Sequence, residues 1–462
     1  MLRRLAATFV FAMSLLVVAP APAVAHGIGG RADLPVPLSY FAIGASAAVV
    51  ISFMALAVLW PNARLQEAPT LRRIGDRWMA IILESMPVFG LVGLVLVIGD
   101  GLIGGNVSTR HISPVVVWVV FWLVFPYLVA LIGNVWLWMS PWRTLGNWIN
   151  STALERPDLM TRLGIWPATL GFMGFVWLEL VSPTSSDPGT LATAALVYTL
   201  YLAAMTRVMG VDAGLASGDA FENYFAVLAA IAPIELSRSR PAVGTATTLA
   251  APTVSWRGWL RGLPHLPQPR GMTWFIVAMI GSVTYDGLSS TGWWGESFGD
   301  AAGTQWFGTL ALVAIIATIG AGYHLAAGAA AKLASGSGES TRTIAKSFIH
   351  TLVPIALAYA FAHYFTLVLF EGQQLIHAAS DPFGLGWNLF GTADWRIVFF
   401  LSPTVVWWIQ LVTIVAGHIA ATMLAHDRAL HQFGAEVAVR TQYAMLVLMV
   451  ALTSLGLFIL AG

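Results

Sequence analysis

The amino-acid sequence predicts an all-α polytopic membrane protein, a bundle of about ten transmembrane helices, and three observations carry that prediction. Apolar residues make up 58 % of the 462-residue chain and charged residues only 10 %, against roughly 25 % charged in soluble domains; the mean hydropathy is +0.77. The apolar residues gather into windows of about 20, the length at which a helix crosses a hydrocarbon core. The basic residues then alternate from loop to loop as the positive-inside rule requires. Of the 23 Lys and Arg residues, Arg3 and Arg4 open the chain and only Arg31, Arg110 and Arg396 fall on the side expected outside.

Taken in order, residues 1–25 read as a signal peptide. Arg3 and Arg4 precede an apolar run from Leu5 to Val18, Pro20 and Pro22 end it, and Ala23-Val24-Ala25 offers the small residues a signal peptidase reads. Cleavage there makes His26 the first mature residue, with an α-amino group and an imidazole able to chelate a metal together. Spans follow near 36–60, 79–103, 112–140, 164–182 and 189–209, so that residues 26–209 form the first five-span part of the bundle. A cytoplasmic segment, 210–271, interrupts it. Phe221, Tyr224, Phe225, Leu228 and Ile231 stand at helical spacing and predict an amphipathic helix on the inner membrane surface. A Pro-, Thr- and Ala-rich linker and a Trp- and Arg-containing juxtamembrane strip come after it. The last five spans, within 272–462, lie near 272–292, 304–330, 347–370, 396–425 and 441–461. Only helices or closed barrels satisfy their backbone in lipid, and these continuous apolar runs are helical. The expected setting is the plasma membrane, with the mature N-terminus outside.

The chain has no cysteine, which excludes disulfides, thiol nucleophiles and iron–sulfur clusters. No basic recognition segment points to nucleic acid, and the expected partners are the lipid bilayer and a small-molecule substrate or metal ion. Ionisable residues inside spans are costly and mark functional sites. An outer group comprises His26, Asp100, His111, Asp286, His363 and Glu371. An inner group, Glu84, His324, His350, His418 and His426, reads as helix-packing polar residues or a proton or ion path. Tyr359 and His363 are four apart, so the phenol is expected to orient the imidazole. Pro354 withholds the backbone bond that the His350 carbonyl would accept, which predicts a kink. Asp100-Gly101-Leu102 and Asp286-Gly287-Leu288 echo one another near the outer ends of two spans, a pattern that internal duplication would produce. The loop Ser380–Thr392 is rich in glycine and aromatic residues, with Gly384, Gly386 and Gly391 placed to permit sharp turns.

Several stretches also carry a family resemblance. His26-Gly-Ile-Gly-Gly-Arg-Ala-Asp-Leu-Pro35, Trp142-Arg-Thr-Leu145, Tyr285-Asp-Gly-Leu-Ser289, His350-Thr-Leu-Val-Pro-Ile-Ala-Leu-Ala-Tyr359 with Ala362-His-Tyr364, and Ala416-Gly-His418 with Ala425-His-Asp-Arg428 resemble bacterial, actinobacterial-type multi-pass membrane proteins called fenitrothion hydrolases. The resemblance spans nearly the whole chain and implies hydrolysis of an organophosphorus triester at its aryl ester bond. On the hydrolase reading, His26, His363, Asp286 and Asp100 hold a divalent transition metal, zinc or copper, and Glu371, Asp286 and Tyr359 are the catalytic groups. The alternative is a copper- or other metal-handling transport protein that captures its ion at His26 and passes it along the inner imidazoles.

Overall fold

A computed structural model describes residues 38–74, 77–103, 111–149, 158–238, 252–334 and 338–461. The expected signal peptide, His26 and the linker at 239–251 lie outside the described residues. Among the described residues 78 % are helical, and eight helices are long and apolar enough to cross a membrane. The principal elements are α1 (Leu38–Leu59), β1 (Arg72–Arg73), α2 (Arg77–Ile103), α3 (Ile112–Ile132), α4 (Pro141–Ile149), α5 (Trp166–Leu180), α6 (Pro188–Met209), α7 (Val211–Gly218) and α8 (Ala220–Ala229), followed by β2 (Ile234–Arg238), β3 (Pro252–Trp256), α9 (Met272–Ser289), α10 (Gln305–Leu333), α11 (Val353–Phe370), α12 (Pro403–Phe433) and α13 (Tyr443–Ala461). The windows expected as the fourth and sixth spans fall on the helices α5 and α9, of 15 and 18 residues, which are not among the eight.

The chain divides into two compact units. The first joins Met1–Glu67, Thr273–Phe365 and Phe400–Gly462. Within it α1 packs on α12 and α13, and Phe41, Ala45, Ala362, Trp407, Ile414 and Leu457 form one buried cluster. Lipid tails are as apolar as leucine, so close packing holds such helices together more than water exclusion does. Gly417 shows how close: a Cβ there would lie 2.3 Å from the Ala358 Cβ and 2.9 Å from the Pro354 carbonyl oxygen. The kink expected at Pro354 is a break, because a tight turn over Ile349–Leu352 separates Thr341–Phe348 from α11. α12 starts later and ends later than the apolar window suggested. Ser402 caps it ahead of Pro403, and Gly434 with φ 72° terminates it.

The second unit comprises Ala68–Met272 and Thr366–Phe399. Its third span is shorter than the expected 112–140, because Gly133 (φ 96°) turns the chain at the end of α3. Only glycine fits: a Cβ there would sit 2.7 Å from the Ile234 carbonyl oxygen. β3 lies centrally between β1 and β2 in a small antiparallel sheet, with Glu235 opposite Ser255. α8 corrects the expectation of a membrane-surface helix. Phe221, Tyr224, Phe225 and Leu228 are buried, but so are Glu222, Asn223 and Val227 on the other faces. The aromatic stripe meets rings rather than headgroups: Phe121 lies 4.6 Å from Phe221, Phe125 4.8 Å from Phe225 and Trp122 5.0 Å from Tyr224. Arg257 also turns inward, donating to the carbonyls of Ala229 (2.5 Å) and Ala232 (3.1 Å) at the C-terminal end of α8.

Candidate functional site

In the first unit α9 and α11 bring three of the quoted motif residues together. The Asp286 Oδ2 accepts from His363 Nε2 at 2.9 Å and from the Tyr364 hydroxyl at 2.6 Å. The Asp286 and His363 side chains each keep 21 % exposure, so the cluster is sheltered but open. Gly287, next to Asp286, lets α9 approach α13: a Cβ there would be 2.1 Å from the Ile459 Cγ2 and 3.6 Å from the His363 Cε1. With Nε2–H donated to a carboxylate, the ring presents Nδ1 as its basic nitrogen. A carboxylate placed behind an imidazole fixes its orientation and stabilises its protonated form. That arrangement suits a general base or a metal ligand.

Tyr359 does not take the role expected of it. Its hydroxyl donates to the Leu452 carbonyl, and a Cβ on Gly456 would lie 2.6 Å from the Tyr359 oxygen. It is thus locked against α13, and the tyrosine that shares a partner with His363 is Tyr364. Glu371 belongs to the second unit, where its carboxylate accepts from Gln374 within the same turn.

A second aspartate–histidine pair lies in the second unit. The buried Asp100 binds His111 Nδ1 at 2.6 Å through Oδ1 and accepts from the Ser113 amide at 2.9 Å through Oδ2. His111 Nε2 and the Ser113 hydroxyl are buried with no hydrogen-bond partner among the described residues. His111 is also pinned through its backbone, which bridges to Phe383, and Ile112 N donates to the Pro382 carbonyl. The loop beyond is stapled by Asp381, whose carboxylate accepts from the amides of Leu385 (2.8 Å) and Gly386 (2.7 Å). Gly384, Gly386 and Gly391 all take positive φ there, as the turns required. The Asp-Gly-Leu echo therefore has structural content. In each unit the triplet aspartate pairs with a histidine, and the triplet glycine sits against a neighbouring helix, Gly101 within 2.3 Å of the Pro188 carbonyl oxygen on the same measure.

The residues of the inner group have separate surroundings. Glu84 lies on an exposed face of α2. The His324 ring packs edge-on to Trp274 at 5.7 Å, and His350 is buried on the turn before α11. His418 Nδ1 donates to the Ile414 carbonyl at 2.8 Å. Both His426 nitrogens are engaged, Nε2 with the Trp60 carbonyl at 3.1 Å and Nδ1 with Gln442 at 3.2 Å, so neither has a lone pair to offer an ion. The neighbouring Asp427 is the residue that sequence reasoning passed over. Fully buried, it accepts from Trp60 Nε1, the amides of Arg64 and Leu65, and Gln66 Nε2. Arg428 binds Gln66 Oε1 at 2.7 Å and the Ser347 carbonyl at 3.1 Å. The motif Ala425-His-Asp-Arg428 thus fastens the Trp60–Gln66 loop to α12, and the clustering of three polar residues inside an apolar helix was the available signal.

No three His, Asp or Glu side chains come together as a metal-ligand set among the described residues. His363 Nδ1 and Asp286 Oδ1 remain as two donors, one short of the three protein ligands of catalytic zinc sites. The described residues therefore do not fit such an ion by themselves. Comparison with known proteins adds no relative: no family model, curated protein or solved structure matches this chain.

Proposed function

We propose that this is an integral membrane hydrolase of ten spans with its mature N-terminus outside, acting on a small neutral aryl phosphotriester. The observation that carries the reading is the Asp286–His363–Tyr364 cluster; the substrate class rests on the resemblance to fenitrothion hydrolases. His363 Nδ1 takes a proton from water as the water oxygen forms a bond to phosphorus. The P–O(aryl) bond breaks, and the aryl oxide leaves with the electron pair. Asp286 holds the ring and balances the imidazolium, and Tyr364 keeps Asp286 in place. The proton then passes from His363 to solvent.

His363→Ala in purified membranes is expected to lower aryl phosphotriester cleavage by about 10²–10⁴-fold, the range of a general base. Tyr364→Phe, which removes only the support of Asp286, should lose far less. Cleavage by His363→Ala at the wild-type rate would sink the assignment. The metal-assisted form of the reading needs further ligands, and His26 is the residue proposed to supply one. Elemental mass spectrometry of the mature protein and its His26→Ala variant tests this: about one zinc or copper per chain, lost in the variant, would favour the metal-assisted form over His363 as base, and no bound metal would leave the metal-free mechanism.

A further inference from the structure

The two short helices α7 and α8 break at Asp219, and the break is lined by ionisable groups that the proposed hydrolysis does not use. Asp219 is fully buried; its Oδ1 accepts from the Phe221 amide at 2.9 Å and from the Tyr198 hydroxyl at 2.9 Å. One turn later the buried Glu222 accepts from Arg143 Nη2 at 2.6 Å through Oε1. Glu222 Oε2 and Arg143 Nε are buried with no hydrogen-bond partner among the described residues. The Trp136 indole, also buried, lies beside the Asp219 carboxyl. The other carboxylate on Arg143, Asp212, has a side chain 71 % exposed and is screened by water. The buried part of the cluster thus contains one guanidinium and two carboxylates, a net negative charge taken out of water. Uncompensated buried charge costs several kcal/mol, and a carboxyl in that position takes up a proton instead.

We propose that Asp219 and Glu222 together bind one proton, forming a proton-binding site at the helix break of the second unit. Glu222 Oε2, a buried carboxyl oxygen without a donor, is where the proton sits. A metal cation suits the break less well, because Arg143 already brings a positive charge and the Asp219 carboxyl is engaged by Tyr198 and the Phe221 amide. Burial pushes Glu222 up to about 7 and Asp219 up to about 6; Arg143 draws Glu222 down while the Asp219 charge pushes it up. The other charged and titratable groups on elements packed around the break are Asp212 on α7, Tyr198, Tyr201 and Arg207 on α6, Tyr224 on α8, Tyr127 on α3, Glu179 on α5, Arg257 beyond α8, and Asp158 and Arg162 on the turn of helix before α5. The two carboxyls titrate as one coupled pair. The proton comes from water and returns to it, with no other bond made or broken.

Infrared difference spectroscopy of the full chain in lipid nanodiscs tests this through the protonated-carboxyl C=O stretch, identified by its shift in heavy water. A carboxylic-acid band present at neutrality and lost with a midpoint near 7 is the expected result. Glu222→Gln should abolish the neutral-pH band. Asp219→Asn, by removing the neighbouring negative charge, should move the midpoint down by about one unit. If either variant fails to fold, Tyr198→Phe removes one donor to Asp219 and should move the midpoint up. Absence of a carboxylic-acid band at neutrality, or a band unmoved by all of these variants, overturns the proposal. A spectral change driven by sodium at constant pH overturns it in favour of a cation site.

Discussion

At the scale of the residue, Asp427 shows how a charged side chain inside an apolar helix can be structural. Replacing it by alanine strands the Trp60 indole, the Arg64 and Leu65 amides and the Gln66 amide group without their acceptor. Each buried donor left unpaired costs about 1–3 kcal/mol. Asp427→Ala is therefore expected to lower the thermal midpoint of the detergent-purified protein sharply, while Asp427→Asn, which keeps one acceptor oxygen, does so mildly. Sequence reasoning singled out Asp286 and passed over Asp427, although each is a carboxylate in an apolar segment. Partner identity separates them. Asp427 is saturated by backbone and neutral donors, whereas Asp286 faces an imidazole that can change its charge. Tyr359 and Tyr364 were distinguishable only in three dimensions, since the i, i+4 rule favours Tyr359 and the reach of Asp286 from another helix selects Tyr364.

At the scale of the element, eight of the ten apolar windows fall on the eight span-sized helices among the described residues, the other two fall on the shorter helices α5 and α9, and further differences lie at ends and in burial. α12 runs past its apolar window because the polar residues at its end are matched by the Trp60–Gln66 loop and by Ser347. α8 reads as amphipathic by periodicity, yet its polar face is turned into the protein, where Glu222 meets Arg143 and Asn223 bonds to the carbonyls of Ala216 and Asp219. Periodicity reports which faces differ; it does not report what covers them. Close approach offers a second prediction at this scale. Gly417→Leu places a branched side chain where even a Cβ would be 2.3 Å from Ala358, so α11 and α12 must separate. Lower yield of folded protein and a lower thermal midpoint are expected, and a variant as stable as wild type would show that this contact does not hold the pair.

At the scale of the whole molecule, the proposed topology is open to direct test, because a chain with no native cysteine gives a clean background for single-cysteine labelling. Ser297→Cys should react with an impermeant thiol reagent added to intact cells, and Thr161→Cys only after permeabilisation; the reverse pattern would invert the orientation. The pH dependence of stability belongs here as well. Burial raises Glu222 from 4.5 to about 7 and Asp219 from 3.8 to about 6, so the folded chain holds more protons than the unfolded one across that window. Their contribution is fully present below the unfolded values and is lost as pH rises through the folded ones. Apparent thermal midpoints should fall between acidic and neutral pH and level off above about 7, and Glu222→Gln should flatten that slope.

The sequence by itself determined that this is a helical membrane protein, where its apolar helices run, and that its chemistry cannot involve sulfur from cysteine. Lipid makes those properties local: a spanning segment must satisfy its own backbone, so length and composition betray it. The tertiary structure decided which ionisable groups meet. Asp286 and His363 are 77 residues apart, and their pairing depends on the rotation of two helices about their axes. It also decided that α8 is buried, that Glu84 is exposed and that His426 is closed to ions, because each of these depends on what a distant segment places against it.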